Sequence, residues 1–338
     1  MEVILQRGYQ VNSLVAPVEP ANVPIRHGSA TVQDSGSSQP RKQAHGTWLG
    51  STWQNDAKEA AAVLANLQPD WLVVDHYAID ELWEGALAAH YRQLLVIDDL
   101  ADRPHRCNLL LDQNLGRRPQ DYSQLVPAHC QVLTGPHYSL LRPEFAALRP
   151  YSLQRRQDYP AFRQLLITMG GVDQTNATKQ VLLALKTCAL PQSCRISVVM
   201  GLTAPWLQDI RELADQMPWP TEVVVNVSDM AQRIADSDLV IGAAGSTSWE
   251  RCCLGVPTLI MVLADNQRGI ANALVHVGAA IALELKTSEQ FATQLQRNIS
   301  HLVGNPTLLR SIGFAASWVT EGCGINLVAA KMLGGFEL

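Results

Sequence analysis

Val240-Ile241-Gly242-Ala243-Ala244-Gly245-Ser246-Thr247-Ser248-Trp249-Glu250 passes from a short apolar run through a turn of small residues into the start of a helical pattern. Strand, glycine turn and helix in that order make the βα unit of a parallel sheet, with the turn at the strand's carboxyl end, where open α/β sheets bind ligands. The same order occurs upstream, where the apolar run 164–169 enters Gly170-Gly171-Val172-Asp173-Gln174-Thr175-Asn176, and downstream, where 258–262 enters Leu263-Ala264-Asp265-Asn266-Gln267-Arg268. Around these units the alternation predicts further strands over 195–200, 222–226 and 239–242. Helices are predicted over 174–185, 206–216, 230–237, 246–254, 268–277, 287–303 and 307–335.

The first half alternates in the same way. Helices are expected over 56–67 and 79–90, and strands over 71–75, 94–98, 109–112 and 130–134. The continuous apolar runs Trp71-Leu72-Val73-Val74 and Leu94-Leu95-Val96-Ile97 suit strands buried on both faces. Residues 3–7 read as the end of a helix stopped by Gly8, and 11–15 as a strand. Between 17 and 46 the composition turns to Pro, Gly, Ser, Gln and Asn, a long polar loop. A polar and basic stretch near 149–159 predicts a boundary between a first domain, 1–150, and a second, 160–338. The implied architecture is α/β, two Rossmann-like, doubly wound halves with a crevice between them.

Composition narrows the function. Of 338 residues, 47% are hydrophobic and 17% charged, with a net charge of −5. Enough apolar surface exists to exclude disorder for most of the chain, and no stripe of Lys and Arg exists to neutralise a run of nucleic-acid phosphates. The seven cysteines form no Cys-x-x-Cys pair, so neither a disulfide framework nor a zinc site is expected. With no secretory signal and no run of ~18 apolar residues, the chain reads as cytoplasmic, without a membrane partner.

The three glycine or Asx turns carry the candidate chemistry. Gly170 and Gly171 either form a plain βα turn or let the backbone approach a phosphate at a helix start. At the second turn Ser246, Thr247 and Ser248 add hydroxyls to free amides, and Glu250 either caps the helix or holds a ribose diol. Two such turns in one domain favour a nucleotide with a diphosphate. Asp265 or Asn266 caps the next helix, or Asn266 and Gln267 face the same crevice. In the first half, Asp75-His76-Tyr77 closes a strand at its carboxyl edge, where His76 either meets a ligand or packs. His105-Arg106-Cys107 lacks a partner at metal spacing and reads as structural. The absence of a Gly-x-x-x-x-Gly-Lys string excludes a Walker-type phosphoryl transfer.

Trp71-Leu72-Val73-Val74-Asp75-His76-Tyr77 is followed by Ile97-Asp98-Asp99-Leu100-Ala101-Asp102-Arg103-Pro104-His105, Leu110-Leu111-Asp112-Gln113-Asn114 and Gly135-Pro136-His137-Tyr138-Ser139-Leu140-Leu141-Arg142-Pro143-Glu144-Phe145. Together they resemble the UDP-2,4-diacetamido-2,4,6-trideoxy-β-L-altropyranose hydrolases of pseudaminic acid biosynthesis. The resemblance continues through Met169-Gly170-Gly171-Val172-Asp173, Ala243-Ala244-Gly245-Ser246 with Glu250, and Asp265-Asn266-Gln267, covering almost the whole chain. It implies a GT-B-like pair of domains, with UDP held mainly by the second and the sugar facing the first, and the last helices packing back on the first. The implied reaction is water attack on the anomeric carbon with inversion, UDP leaving through sugar–oxygen cleavage. The implied partner is the UDP-linked sugar, with no cofactor and no metal, and a monomer is expected. By motif, Tyr77 and Asn266 would line the sugar and the attacking water, and Glu250 would hold the ribose. Gly170, Gly171, Gly245, Ser246 and Thr247 would hold the diphosphate, with Arg142 and Gln267 as further substrate contacts.

The sequence departs from that family in one respect. Members begin with a strand and a Gly-x-Gly-His-x-x-Arg loop whose histidine is the proposed general base, and that string does not occur here, His27 and His45 lying in the polar insertion. The expectation is a first domain truncated at its N-terminus, with weak UDP binding and little or no hydrolysis. Two other classes fit the same motifs: a catalytically silent UDP-sugar binding protein, and a GT-B UDP-sugar glycosyltransferase, which would need an acceptor groove.

Overall fold

A computed structural model describes residues 4–5, 7–14, 45–157, 162–284 and 287–334. Most of the polar loop expected over 17–46 therefore lies outside the described residues. The chain divides into two compact units, the first drawn from Met1–Asp112 and Pro119–Leu133, the second from Gln113–Arg118 and Thr134–Leu338.

The first unit is built on a sheet of β1 (Trp71–Val74), β2 (Gln93–Ile97), β3 (Leu109–Asp112) and β4 (Gln131–Thr134), in that spatial order. β1 with β2 and β2 with β3 run parallel. Helix α1 (Trp53–Leu67) starts where the Thr52 hydroxyl accepts the Asn55 N–H, and α2 (Glu81–Ala86) where Asp80 accepts from Leu82. Leu94, Val96, Leu110, Trp83 and Tyr122 form the centre of its core. Three expectations are corrected here. Residues 11–14 join neither sheet and form no strand. The helix expected over 79–90 stops at Ala86, because the chain turns where Leu87 donates to the Glu84 carbonyl. Strand β1 is not buried on both faces: it lies at the sheet edge and Val73 is 48% exposed.

The second unit holds six strands: β5 (Gln164–Thr168), β6 (Arg195–Met200), β7 (Thr221–Val225), β8 (Leu239–Ala243), β9 (Thr258–Met261) and β10 (Ile281–Leu283). All pair parallel, in the order β10-β9-β8-β5-β6-β7. The chain builds outward from β5 to β7, returns to the other side of β5 with β8, and continues to β10. The switch point thus falls between β5 and β8. Period-two alternation divides each central strand between two cores: Leu165, Ile167, Leu239 and Ile241 pack on one face, Leu166 and Val240 on the other. The helices are α3 (Pro143–Gln157), α4 (Ala177–Leu185), α5 (Leu207–Ala214), α6 (Met230–Asp236), α7 (Thr247–Cys253), α8 (Arg268–His276), α9 (Ser288–Val303), α10 (Pro306–Ser317) and α11 (Gly324–Met332).

The expected domain boundary near 149–159 is also corrected. Residues 143–157 form one continuous helix of the second unit, and the arginines that suggested a solvated linker turn inward. Arg149 donates to the carbonyls of Cys253, Ser317 and Thr320, Arg155 pairs with Asp238 at 2.7 Å, and Arg156 donates to the Ala235 and Ser237 carbonyls. The helix expected over 307–335 is two helices, broken at Gly322, whose φ of +85° and contact with Cys253 admit no side chain. The last of them packs on the 3-10 turn Pro136–Tyr138, inside the second unit. Strand β10 was not expected from the sequence, being only three residues long. The seven cysteines are free thiols, with Cys107 and Cys130 Sγ 3.5 Å apart.

Candidate functional site

Because β5, β8 and β9 are neighbours running the same way, the turns after them lie side by side along the carboxyl edge of the second sheet. At the first turn Gly170 takes φ +87°, a conformation that favours glycine. Gly171 needs no such φ, and nothing lies within 4 Å of where its Cβ would be. That glycine serves neither turn geometry nor packing, and leaves open space at the switch point. Beneath it, Gly201 is required by contact: a Cβ there would strike the Gly171 backbone carbonyl. One expectation is overturned. The amides at the start of α4 are not free for a phosphate, because Asp173, only 7% exposed, accepts from Ala177 N–H at 2.8 Å and Thr178 N–H at 3.0 Å.

The second turn is different. Helical bonding begins when Ser248 and Trp249 donate to the Gly245 and Ser246 carbonyls, and no side chain caps this end. Gly245, like Gly171, has open space over it. Ser246 is exposed and Thr247 half-buried, but Ser248 is buried and turned inward, its hydroxyl accepting from Arg251 Nη2 at 2.8 Å. Arg251 was not singled out by the sequence. Its guanidinium is buried and also donates to the Ala243 carbonyl at 2.8 Å, bracing the turn from below. Burial lowers it to about 10. Gly242 is the signal that could have disclosed it, since a Cβ there would strike Arg251 Nη1.

Glu250 sits half-buried on the first turn of α7, its carboxylate forming no hydrogen bond among the described residues. Burial pushes its carboxyl above the ordinary carboxylate range, while Arg142 and Arg251 pull the other way and Glu144 adds to the rise. Arg142, a further substrate contact by motif, thus belongs to the same electrostatic neighbourhood. It pairs with Glu144 at 2.9 Å and lies 5.4 Å from the Phe145 ring centroid. At the third turn Asn266 is exposed, and neither it nor Asp265 caps a helix. Asp265 instead accepts from Arg268 at 3.0 Å. Gln267 spends its carbonyl oxygen on the Leu263 N–H at 2.9 Å, which leaves only its NH2 to meet a ligand.

Tyr77 belongs to the first unit, where residues 98–105 form the hub of a polar network. Its hydroxyl donates to Asp99 at 3.2 Å. Arg103, buried, pairs with Asp98 at 2.7 Å and Asp102 at 3.1 Å. Tyr122 donates to Asp98 and Asp112, and burial against those carboxylates raises its phenol. His105 pairs with Glu84 at 2.6 Å, both side chains fully buried, as its structural reading expects. His76 Nδ1 accepts the Ala78 N–H at 3.1 Å, closing its own turn. His45 was set aside in the polar insertion, yet its Nε2 lies 2.9 Å from Asp102 Oδ2, and its ring centroid 6.3 Å from that of Tyr77. Burial alone would raise the Asp102 carboxyl, but hydrogen bonds from His45 and Arg103 outweigh it and hold it below its usual value. Among the described residues no three His, Cys, Asp or Glu side chains cluster as metal ligands, and no helix is long and apolar enough to cross a membrane.

Comparison with known proteins agrees with this architecture. Residues 165–311 match the glycosyltransferase family 28 C-terminal domain. The chain is 28% identical over 179 residues to the spore coat polysaccharide biosynthesis protein SpsG of Bacillus subtilis, covering 52% of this chain and 51% of that protein. It therefore spans about half the length of that relative. It is 26% identical over 207 residues to the UDP-2,4-diacetamido-2,4,6-trideoxy-β-L-altropyranose hydrolase of Campylobacter jejuni, covering 61% and 71%. Among solved structures, MurG of Acinetobacter baumannii superposes with a TM-score of 0.57 at 17% identity over 98% of this chain and 93% of that one. The UDP-GlcNAc 2-epimerase of Neisseria meningitidis, bound to UDP-GlcNAc, gives 0.56 at 13% identity over 84% and 82%. The chain has the GT-B fold, two Rossmann-like parallel-sheet domains.

Proposed function

We propose that the chain is an enzyme acting on a UDP-linked sugar, hydrolysing UDP-2,4-diacetamido-2,4,6-trideoxy-β-L-altropyranose to UDP and the free sugar. The observation that carries this reading is the grouping at the switch point of two glycines with open space above them, Gly171 and Gly245, and the uncommitted carboxylate of Glu250. Backbone donors at Gly170, Gly171, Gly245, Ser246 and Thr247 suit a diphosphate, whose charge grows as the sugar–oxygen bond breaks. Glu250 can accept both hydroxyls of a ribose diol, with Arg142 balancing its charge. The exposed amide of Asn266 and the NH2 of half-buried Gln267 would orient the sugar and the attacking water. A single displacement by water inverts the anomeric carbon.

A second reading, transfer of the sugar to an acceptor, is favoured by the glycosyltransferase family 28 match. Incubation with the UDP-sugar and no acceptor separates the two. Hydrolysis predicts UDP and free sugar in equal amounts, with the first-formed anomer inverted by proton NMR. Release of UDP only after an acceptor is added would establish transfer, and binding without turnover a silent binder.

A further inference from the structure

Cys107 and Cys130 take no part in the reaction proposed above, yet the fold holds them together. We propose that the pair is a redox-modification site, at which a peroxide closes a reversible disulfide that staples β3 to β4; the inference is independent of the functional reading. Both residues belong to the first unit, each just ahead of one of two neighbouring strands. Their Sγ atoms lie 3.5 Å apart. One residue further on, the Gln131 N–H donates to the Asn108 carbonyl at 2.9 Å, so the two backbones are fixed beside the thiols at sheet spacing, about 4.7–4.9 Å. A disulfide joins Cα atoms about 4.4–6.8 Å apart, with its sulfurs about 2.0 Å apart. Closing the link therefore asks for side-chain rotation rather than backbone movement.

The surroundings set this pair apart from the other five cysteines. Cys188, Cys194, Cys252 and Cys253 are buried, and burial pushes Cys188 and Cys253 up to about 11 and Cys194 and Cys252 up to about 12, away from the reactive thiolate. Cys323 is exposed, but among the described residues it has no second thiol in hydrogen-bond contact. Within the pair the roles divide. Cys130 gives its own S–H to the Gln131 carbonyl at 3.6 Å, so the bond between the sulfurs runs from Cys107 to Cys130. That bond raises Cys107, which is 1% exposed and raised further by burial. It lowers half-buried Cys130, against the opposing pull of burial and of the Glu84 carboxylate. Cys130 is thus the nucleophile, and Cys107 the resolving thiol held against it.

In the step, the Cys130 thiolate attacks one oxygen of hydrogen peroxide and the O–O bond breaks. A sulfenic acid forms, and the departing hydroxide takes up the proton that Cys130 released. The Cys107 sulfur then bonds to the Cys130 sulfur, and its proton leaves with the sulfenic hydroxyl as water. Two thiols and one peroxide become one disulfide and two waters. The sulfurs supply both electrons, and a dithiol reductant returns them.

The test treats the full chain with hydrogen peroxide, unfolds it, alkylates the remaining thiols with iodoacetamide and maps the peptides by mass spectrometry. The expected product is a Cys107–Cys130 link, lost on adding dithiothreitol, formed at peroxide doses that leave Cys323 free to alkylate. In C107S the sulfenic acid persists on Cys130 and is trapped by dimedone, whereas in C130S nothing is trapped at Cys107. In calorimetry the oxidised first unit unfolds at a higher temperature, since closing a loop of this size favours folding roughly 10²-fold, and dithiothreitol reverses the shift. Cys107 and Cys130 both alkylated at doses that oxidise Cys323, or Cys130 linked to any other thiol, would overturn the site. A Cys107–Cys130 link that leaves the first unit's unfolding temperature unchanged or lower would overturn the staple.

Discussion

Glu250 is held at odds with its surroundings, since burial favours its neutral form while the proposed ribose contact uses the charged one. Its folded carboxyl binds a proton more tightly than the unfolded chain's, so stability declines as pH rises from about 4.3, the ordinary glutamate value, to the raised folded one. E250Q removes that decline. It should be more stable than the wild type at neutral pH in urea titrations, with the difference closing below about pH 4, and should bind UDP roughly 10- to 100-fold more weakly, the worth of hydrogen bonds to a charged group. Equal stability at both pH values would refute the assignment of strain. G245A makes the opposite contrast. Space is open there, so stability should stay within about 0.5 kcal/mol while UDP affinity by calorimetry drops at least tenfold. At this scale the sequence was a partial guide: it pointed to Glu250 and Gly245, but not to Ser248 facing Arg251, nor to His45, whose partner lies 57 residues away. A contact across 57 residues leaves no local pattern to read, whereas Ser248 and Arg251 are three apart on one helix.

Elements were more legible, because a buried strand must be apolar over four to six residues and its helix must follow. Strands β5 to β9 fall within a residue or two of where periodicity places them. The misses have local causes: β10 is too short to show a period, and the break at Gly322 depends on how closely Cys253 and Ala146 approach it. The close seating of elements is itself testable at Gly201, which lies under the first turn without lining it. G201A forces a methyl against the Gly171 carbonyl, so it should cost about 1–3 kcal/mol as overpacking does and also weaken UDP binding by displacing the turn. A variant that loses stability but binds UDP normally would show that this turn takes no part in the nucleotide site.

The two units have separate cores, one around Leu94, Leu110 and Tyr122, the other on both faces of the six-stranded sheet. Calorimetry should therefore resolve two transitions. Saturating UDP should shift only the one belonging to the second unit, by about 2.7 kcal/mol at a hundredfold excess over Kd. A single transition, or equal shifts, would contradict this. The composition of residues 149–157 suggested a place to divide the chain, and the inward-turned arginines make it the wrong one. A fragment starting at residue 160 would lack Leu141 and Phe145, which pack in the second core, and should aggregate, whereas the full chain should stay soluble in gel filtration. The same burial alters what a protease sees. Arg155 and Arg156 look like an invitation to trypsin, which does not cut at Arg149 before Pro150, but each has its guanidinium spent on backbone or carboxylate and its peptide bonds wound in a helix. Limited digestion should spare this stretch, so the sites that look most cleavable on paper will be among the last to be cut.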